Sequence, residues 1–243
     1  MQKPQFGVST RLYGGGHLGR DHWPAAAARE SLVEIASYGF EIVELVEHPG
    51  HIEYGNPAAV ADLQQWLAEA RVVLHSIAVP PGNDAESALV ASRRISIKAL
   101  VIPVGPPRDA TRTVERLSEL AGPLGVTIAI DSRSPSMSPI SSLVHFVENV
   151  ESPGGRVGIC LDFASAARTG ELVDAIEMSA EHLVSTRIPI DSAIDWAAAL
   201  TTVRKIGYEG PLLFNVTEAG TIKEALPRAR EAREKMQRWL EFT

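Results

Sequence analysis

"AAAARESLVEIASYGFEIVELV", residues 25–46, holds the pattern on which the fold turns. Its first part has the apolar spacing of a helix, Gly39 closes that helix, and the run EIVELV (41–46) follows at once as a strand. The same order returns in "PAAVADLQQWLAEA" (57–70) followed by "VVLHSIAV" (72–79). One further run, "QFGVST" (5–10), precedes these, and five follow: "ALVIPVG" (99–105), "GVTIAID" (125–131), "RVGICLD" (156–162), "HLVSTRIPI" (182–190) and "GPLLFNV" (210–216). Successive runs start roughly 25 to 35 residues apart, the length a strand and a helix need for a right-handed parallel crossover. Eight such units predict an α/β chain closed as a (β/α)8 barrel, a single domain over residues 1–243.

A doubly wound open sheet is the competing architecture, and "GGGHLG" (14–19) formally spells a dinucleotide-binding turn. That turn must open directly into a helix, whereas "RDHWP" intervenes here and Pro24 has the look of a first helical position. The glycines read instead as a loop over the barrel mouth, with His17 near its tip.

Composition narrows the function classes. At 45% hydrophobic residues the chain can bury a large core. A net charge of −7 disfavours a surface built for a phosphate backbone, so nucleic acid is not an expected partner. One cysteine, Cys160 in an apolar run, gives neither a disulfide framework nor a cysteine-rich metal cage. With no apolar leader and no apolar stretch long enough to cross a bilayer, the expectation is a cytoplasmic protein with no membrane partner. Trp66, Trp196 and Trp239 on the outer helices fit a homodimer or ordinary helix packing equally well.

In such a barrel the chemistry sits where strands end. The polar groups there are Arg11, Glu44, His75, Asp131 with Arg133, Asp162, Arg187 with Asp191, and Asn215 with Glu218. Taken singly, Asp131 and Asp162 read as helix caps and His75 as a hydrogen-bonded core histidine. Aimed at one mouth, the set is rich in like charge and needs a ligand, a metal or mutual pairing to compensate it.

The order "GVS", "GFEIVEL", "LHSIAVP", "GVTIAID", "GICLD" and "GYEGPLLFN" resembles the xylose isomerase-like barrel family over essentially the whole chain. The family contains sugar and sugar-phosphate isomerases and epimerases, hydroxypyruvate isomerase, inosose dehydratase and endonuclease IV-type repair enzymes. The resemblance implies one divalent ion held by a glutamate ending the fifth strand, an aspartate ending the sixth, a histidine ending the seventh and a glutamate ending the eighth. Those positions carry Asp131, Asp162, no histidine, and Asn215. The histidine three residues past the sixth-strand aspartate is Ser165, while His75 and Glu44 match the third- and second-strand positions.

Asn215 cannot take a proton at neutral pH. Asp131, Asp162 and the Asn215 carbonyl make an oxygen-only set for a weakly held Mg²⁺ or Mn²⁺, but the leading expectation is no metal, with Arg187 pairing with Asp131 or Asp162 in its place. The implied activity is that of a sugar or sugar-phosphate isomerase or epimerase working by proton transfer on a small polyol or keto sugar. Asp131 or His75 would be the base, Arg187 the electrophilic partner, and Arg11, Glu44, Arg133, Asn215 and Glu218 the substrate contacts. The alternative is a catalytically silent barrel that binds a sugar-like ligand or a partner subunit.

Overall fold

The apolar runs become strands because each has two buried faces to fill. The computed structural model describes residues 5–10, 25–46, 52–80, 84–150, 152, 155–190, 194–215 and 222–242. Within it β1 (Gln5–Ser9), β2 (Ile42–Val46), β3 (Val73–Ala78), β4 (Ala99–Ile102), β5 (Thr127–Asp131), β6 (Arg156–Asp162), β7 (Leu183–Pro189) and β8 (Pro211–Asn215) pair in sequence order as parallel neighbours, and β8 returns to β1. The expected eight-stranded barrel is the observed one.

Side chains that alternate outward from the strands, including Val43, Leu74, Leu100, Ile128, Ile130, Leu161, Leu212 and Phe214, form the main apolar core with the surrounding helices. Among those that alternate inward, the apolar residues Ala78, Ala99, Val101, Ala129 and Cys160 are small and make a second cluster inside the barrel. These small residues share strands with polar ones, Ala78 with Ser76 on β3 and Ala129 with Asp131 on β5, and leave room in the interior for charged side chains.

Local signals set the helix ends. Helix α2 (Pro57–Ala70) begins with Asn56 accepting a hydrogen bond from the Ala58 amide at 3.0 Å, with Pro57 in the first turn. Gly39 sits at φ 76° between α1 (Ala25–Ser37) and β2, where a side chain would be strained. The final helix (Ile222–Phe242) is tied to that turn by Arg233, whose Nη1 donates to the Gly39 carbonyl at 2.5 Å and whose guanidinium lies 4.7 Å from the Phe40 ring centroid. No described helix is long and apolar enough to cross a membrane.

Two irregularities shape the interior. Between β2 and β3 the pairing passes from Val43–Leu74 to Glu44–Ser76, which leaves His75 as an extra residue. Between β6 and β7 it passes from Ile159–Leu183 to Cys160–Ser185, which leaves Val184 extra. The His75 ring hydrogen-bonds the backbone of Val184, so the two bulges meet inside the barrel. Gly158 permits this arrangement: a Cβ there would collide with Val184 Cγ2 and lie 2.7 Å from the His182 carbonyl.

Candidate functional site

The polar interior is organised around Arg187, the fifth residue of the seven-residue strand β7. Only 1% of it is exposed. Its Nε donates to Glu44 Oε1 at 2.7 Å, Nη2 to Glu44 Oε2 at 3.1 Å, and Nη1 to Asp131 Oδ2 at 2.7 Å. The guanidinium thus makes a two-point pair with one carboxylate and a further bond to a second. The pairing of Arg187 with Asp131 is present; Asp162 is its strand-pairing neighbour.

Glu44 is the middle residue of β2, fully buried, with its neighbours supplying hydroxyls from both sides. Ser9 Oγ donates to Oε1 at 2.7 Å and Ser76 Oγ to Oε2 at 3.2 Å, from the residues that pair with Glu44 on β1 and β3. Burial pushes the Glu44 carboxyl up, yet the charge and N–H groups of Arg187 and the hydroxyls of Ser9 and Ser76 outweigh it and hold the group below its ordinary value. Burial alone would likewise lower the affinity of Arg187 for its proton, but the carboxylates of Glu44 and Asp131 keep it firmly charged.

Asp131 ends β5 and is gripped from two directions. Besides Arg187, Arg133 reaches back over the loop: its backbone N–H donates to Oδ1 at 3.0 Å, Nε to Oδ1 at 2.9 Å, and Nη2 closes on Oδ2. The Arg133 side chain remains 24% exposed. Asp162 ends β6, accepts from the Ser165 amide at 2.8 Å as the cap of the short helix Phe163–Arg168, and lies 3.8 Å from Arg133 Nε. Asn215 ends β8, 2% exposed, with its Oδ1 buried and without a hydrogen-bond partner among the described residues.

The structure therefore brings Asp131, Asp162, Arg133, Arg187 and Asn215 to the end of the barrel that the sequence suggested. Three expected roles change. Glu44, expected among the substrate contacts at a strand end, lies one layer down with both oxygens engaged by Arg187 and serine hydroxyls. His75, expected as a base at the mouth, is the third of the six residues of β3; the bulge turns it into the barrel near the strand's start, facing Val184 and Glu44. Burial lowers the His75 pKa, with the Glu44 charge and the Val184 backbone pulling the other way. Arg187, expected as an electrophile facing substrate, is closed off by its carboxylate partners. Arg11, His17, Asp191 and Glu218 fall outside the described residues. Nothing in the sequence pattern marks Ser9 and Ser76; their pairing beside Glu44 follows from strand register.

The sequence matches the family model described as "Xylose isomerase-like TIM barrel" over residues 32–242. This chain belongs to the xylose isomerase-like TIM barrel family. Among curated proteins none matches the sequence. Solved structures with the same fold include a xylose isomerase-like TIM barrel/4-hydroxyphenylpyruvate dioxygenase fusion protein, 16% identical, at a TM-score of 0.70 over 99% of this chain and 44% of that one. A 3-keto-D-glucoside 4-epimerase from E. coli, 13% identical, superposes at 0.74 over 97% of this chain and 99% of that one. A family member from Mycobacterium smegmatis in complex with magnesium, 13% identical, superposes at 0.72 over 98% and 97%.

A divalent ion is thus a group the family brings into question, and the donor set here does not suit one. Both Asp131 oxygens receive guanidinium N–H groups, and one Asp162 oxygen caps a helix. A metal within reach of Asp131 would stand beside the buried Arg187 charge, which opposes it. Among the described residues no three His, Cys, Asp or Glu side chains are grouped to hold a metal ion.

Proposed function

We propose that this family member binds a small sugar-like molecule at the barrel mouth without a divalent ion, with Arg187 providing the fixed positive charge at the centre. The observation that carries this reading is the guanidinium of Arg187, 1% exposed and bonded to Glu44 and Asp131 at 2.7 Å each. An arginine in that position orders the two carboxylates and, with Arg133 also on Asp131, offsets their charge permanently, so this pair needs no exchangeable cation. Proton transfer between two facing carboxylates is not supported by these residues: Asn215 cannot accept a proton, and Asp131 has its oxygens occupied by arginines. Ligand recognition is the activity the geometry favours.

The isomerase or epimerase reading keeps one observation in its favour. At the rim, Asp162 and the partly exposed Arg133 lie 3.8 Å apart, a carboxylate beside a cation. In that reading Asp162 moves the proton and Arg133 steadies the negative charge that develops on a keto oxygen. The likeness to a 3-keto-D-glucoside 4-epimerase supports a keto sugar as the class of substrate.

Calorimetric titration with neutral ketohexoses and polyols, with and without EDTA, tests the proposal. Saturable binding that EDTA leaves unchanged is expected. Binding that appears only after Mn²⁺ is added contradicts it. Deuterium uptake from D₂O into the carbon skeleton of the bound sugar would favour the isomerase reading over simple binding.

A further inference from the structure

We propose that His75 is an acid-sensitive switch beneath the mouth: once protonated, its ring takes Glu44 Oε2 from Arg187 and so loosens the arginine that holds Asp131. The switch is independent of what the mouth binds. It starts where the bulges of β3 and β7 meet. The His75 ring bonds the Val184 backbone, and its Nε2 is buried without a partner among the described residues, so Nδ1 makes that bond. The bond favours the charged ring, as donation to a carbonyl does, so in the neutral form Nδ1 carries the hydrogen and Nε2 a lone pair. A buried lone pair without a partner costs far less than a buried, unpartnered N–H on a cation. A proton on Nε2 therefore demands an acceptor.

Glu44 Oε2 is the acceptor that the geometry offers. Oε1 is held at 2.7 Å by both Ser9 Oγ and Arg187 Nε, whereas Oε2 has longer bonds, 3.2 Å from Ser76 Oγ and 3.1 Å from Arg187 Nη2. Ser76 follows His75 directly, so the more loosely held oxygen lies toward the histidine's own strand. Transfer of Oε2 to the imidazolium leaves Arg187 one bond to Glu44 in place of two, beside its bond to Asp131. Ser185, the residue after Val184, is the competing acceptor, with a buried Oγ also without a partner among the described residues. Its hydroxyl carries no charge to match the imidazolium, and the Glu44 carboxylate does.

The charges that face His75 from the strands around it point the same way. On β2 the charge of Glu44 favours the protonated ring. Lys98, just before β4, opposes it, but its side chain is exposed to solvent and screened there. Strand β7 offers the Val184 backbone and Ser185, and its Arg187 bonds Glu44 itself. His182, ahead of β7, has its ring 3.9 Å from Glu148. Burial holds the His75 pKa below its ordinary 6.5, so the ring is neutral at neutral pH and takes up its proton only in acid.

Heteronuclear NMR of the full chain, titrated from neutral pH into acid while the chain stays folded, reads the His75 ring nitrogens and the hydrogen exchange of the Arg187 guanidinium. At neutral pH His75 should show the tautomer with its hydrogen on Nδ1. As it protonates, the protection of the Arg187 Nη2 hydrogens should fall by about tenfold or more, with the same midpoint, while the Nε hydrogen loses less. His75→Gln cannot take up the proton and should keep the Nη2 protection constant over that range. Constant Nη2 protection in the native chain while His75 titrates overturns the switch, since the imidazolium has then found another acceptor. Loss of protection that persists in His75→Gln overturns it too. Should His75→Gln fail to fold, the native chain alone decides: coincident midpoints for His75 and Arg187 support the switch, and separate midpoints overturn it.

Discussion

Arg187 Nε and Glu44 Oε1 lie 2.7 Å apart although 143 positions separate the two residues and their strands, β7 and β2, are not neighbours in the barrel. The pair crosses the interior, with Asp131 completing the guanidinium's contacts from β5. Three strands are thereby linked through one buried cation. Removing that cation alone leaves two buried carboxylates short of a partner, so Arg187→Met should cost about 3–5 kcal/mol in urea unfolding. Adding Glu44→Gln should recover a substantial part of the loss, because Asp131 still has Arg133. Additive losses in the double variant would show that the two residues are not coupled.

Arg133 holds the same carboxylate from the rim, and its side chain is partly exposed. Arg133→Ala should therefore destabilise less than Arg187→Met, by about 1–2 kcal/mol, since Asp131 keeps its bond from Arg187. Arg133→Lys should recover little of this, because an ammonium cannot reproduce the two-point grip. Chemical denaturation of the three proteins in one buffer ranks them.

Acid should unfold the protein in two stages. His75 has a folded pKa below its ordinary 6.5, so below that pH the unfolded chain takes up a proton that the folded chain refuses, and stability falls. Glu44 has a folded pKa below its ordinary 4.5; its contribution is complete above that value and is lost as the pH drops through the folded pKa. Urea midpoints measured from about pH 7 to about pH 3 should decline first through the histidine and then more steeply through the carboxylate. His75→Gln should flatten the upper limb and leave the lower one.

The close approach of β6 to the bulge in β7 makes Gly158 a packing constraint. Gly158→Ala would press a methyl group into Val184 and the His182 carbonyl, and a loss of about 1–3 kcal/mol is expected by chemical denaturation. Unchanged stability would mean that the bulge can relax.

Much of the barrel is legible in the sequence because strand and helix periods differ and glycines mark the joints: EIVELV became Ile42–Val46, and RVGICLD became Arg156–Asp162 without a shift. The candidate site is only partly legible. Strand ends announce Asp131, Asp162 and Asn215, since a polar residue after an apolar run has a position that the run itself dictates. A cross-barrel partner leaves no such mark, so the bond between Glu44 and Arg187 emerges only from the closed geometry. His75 departs from its expected position for a related reason: a bulge adds one residue to a strand without changing its composition, and the side chain then enters at a different level and face.

Metal content tests most directly whether Arg187 fills the role a divalent ion would otherwise play. Purified protein, incubated with excess Mn²⁺ and then freed of unbound ion, should retain far less than one equivalent by elemental mass spectrometry. The Arg187–Glu44–Asp131 arrangement predicts that result. Retention of one Mn²⁺ per chain, lost on Asp131→Asn or Asp162→Asn, would contradict it.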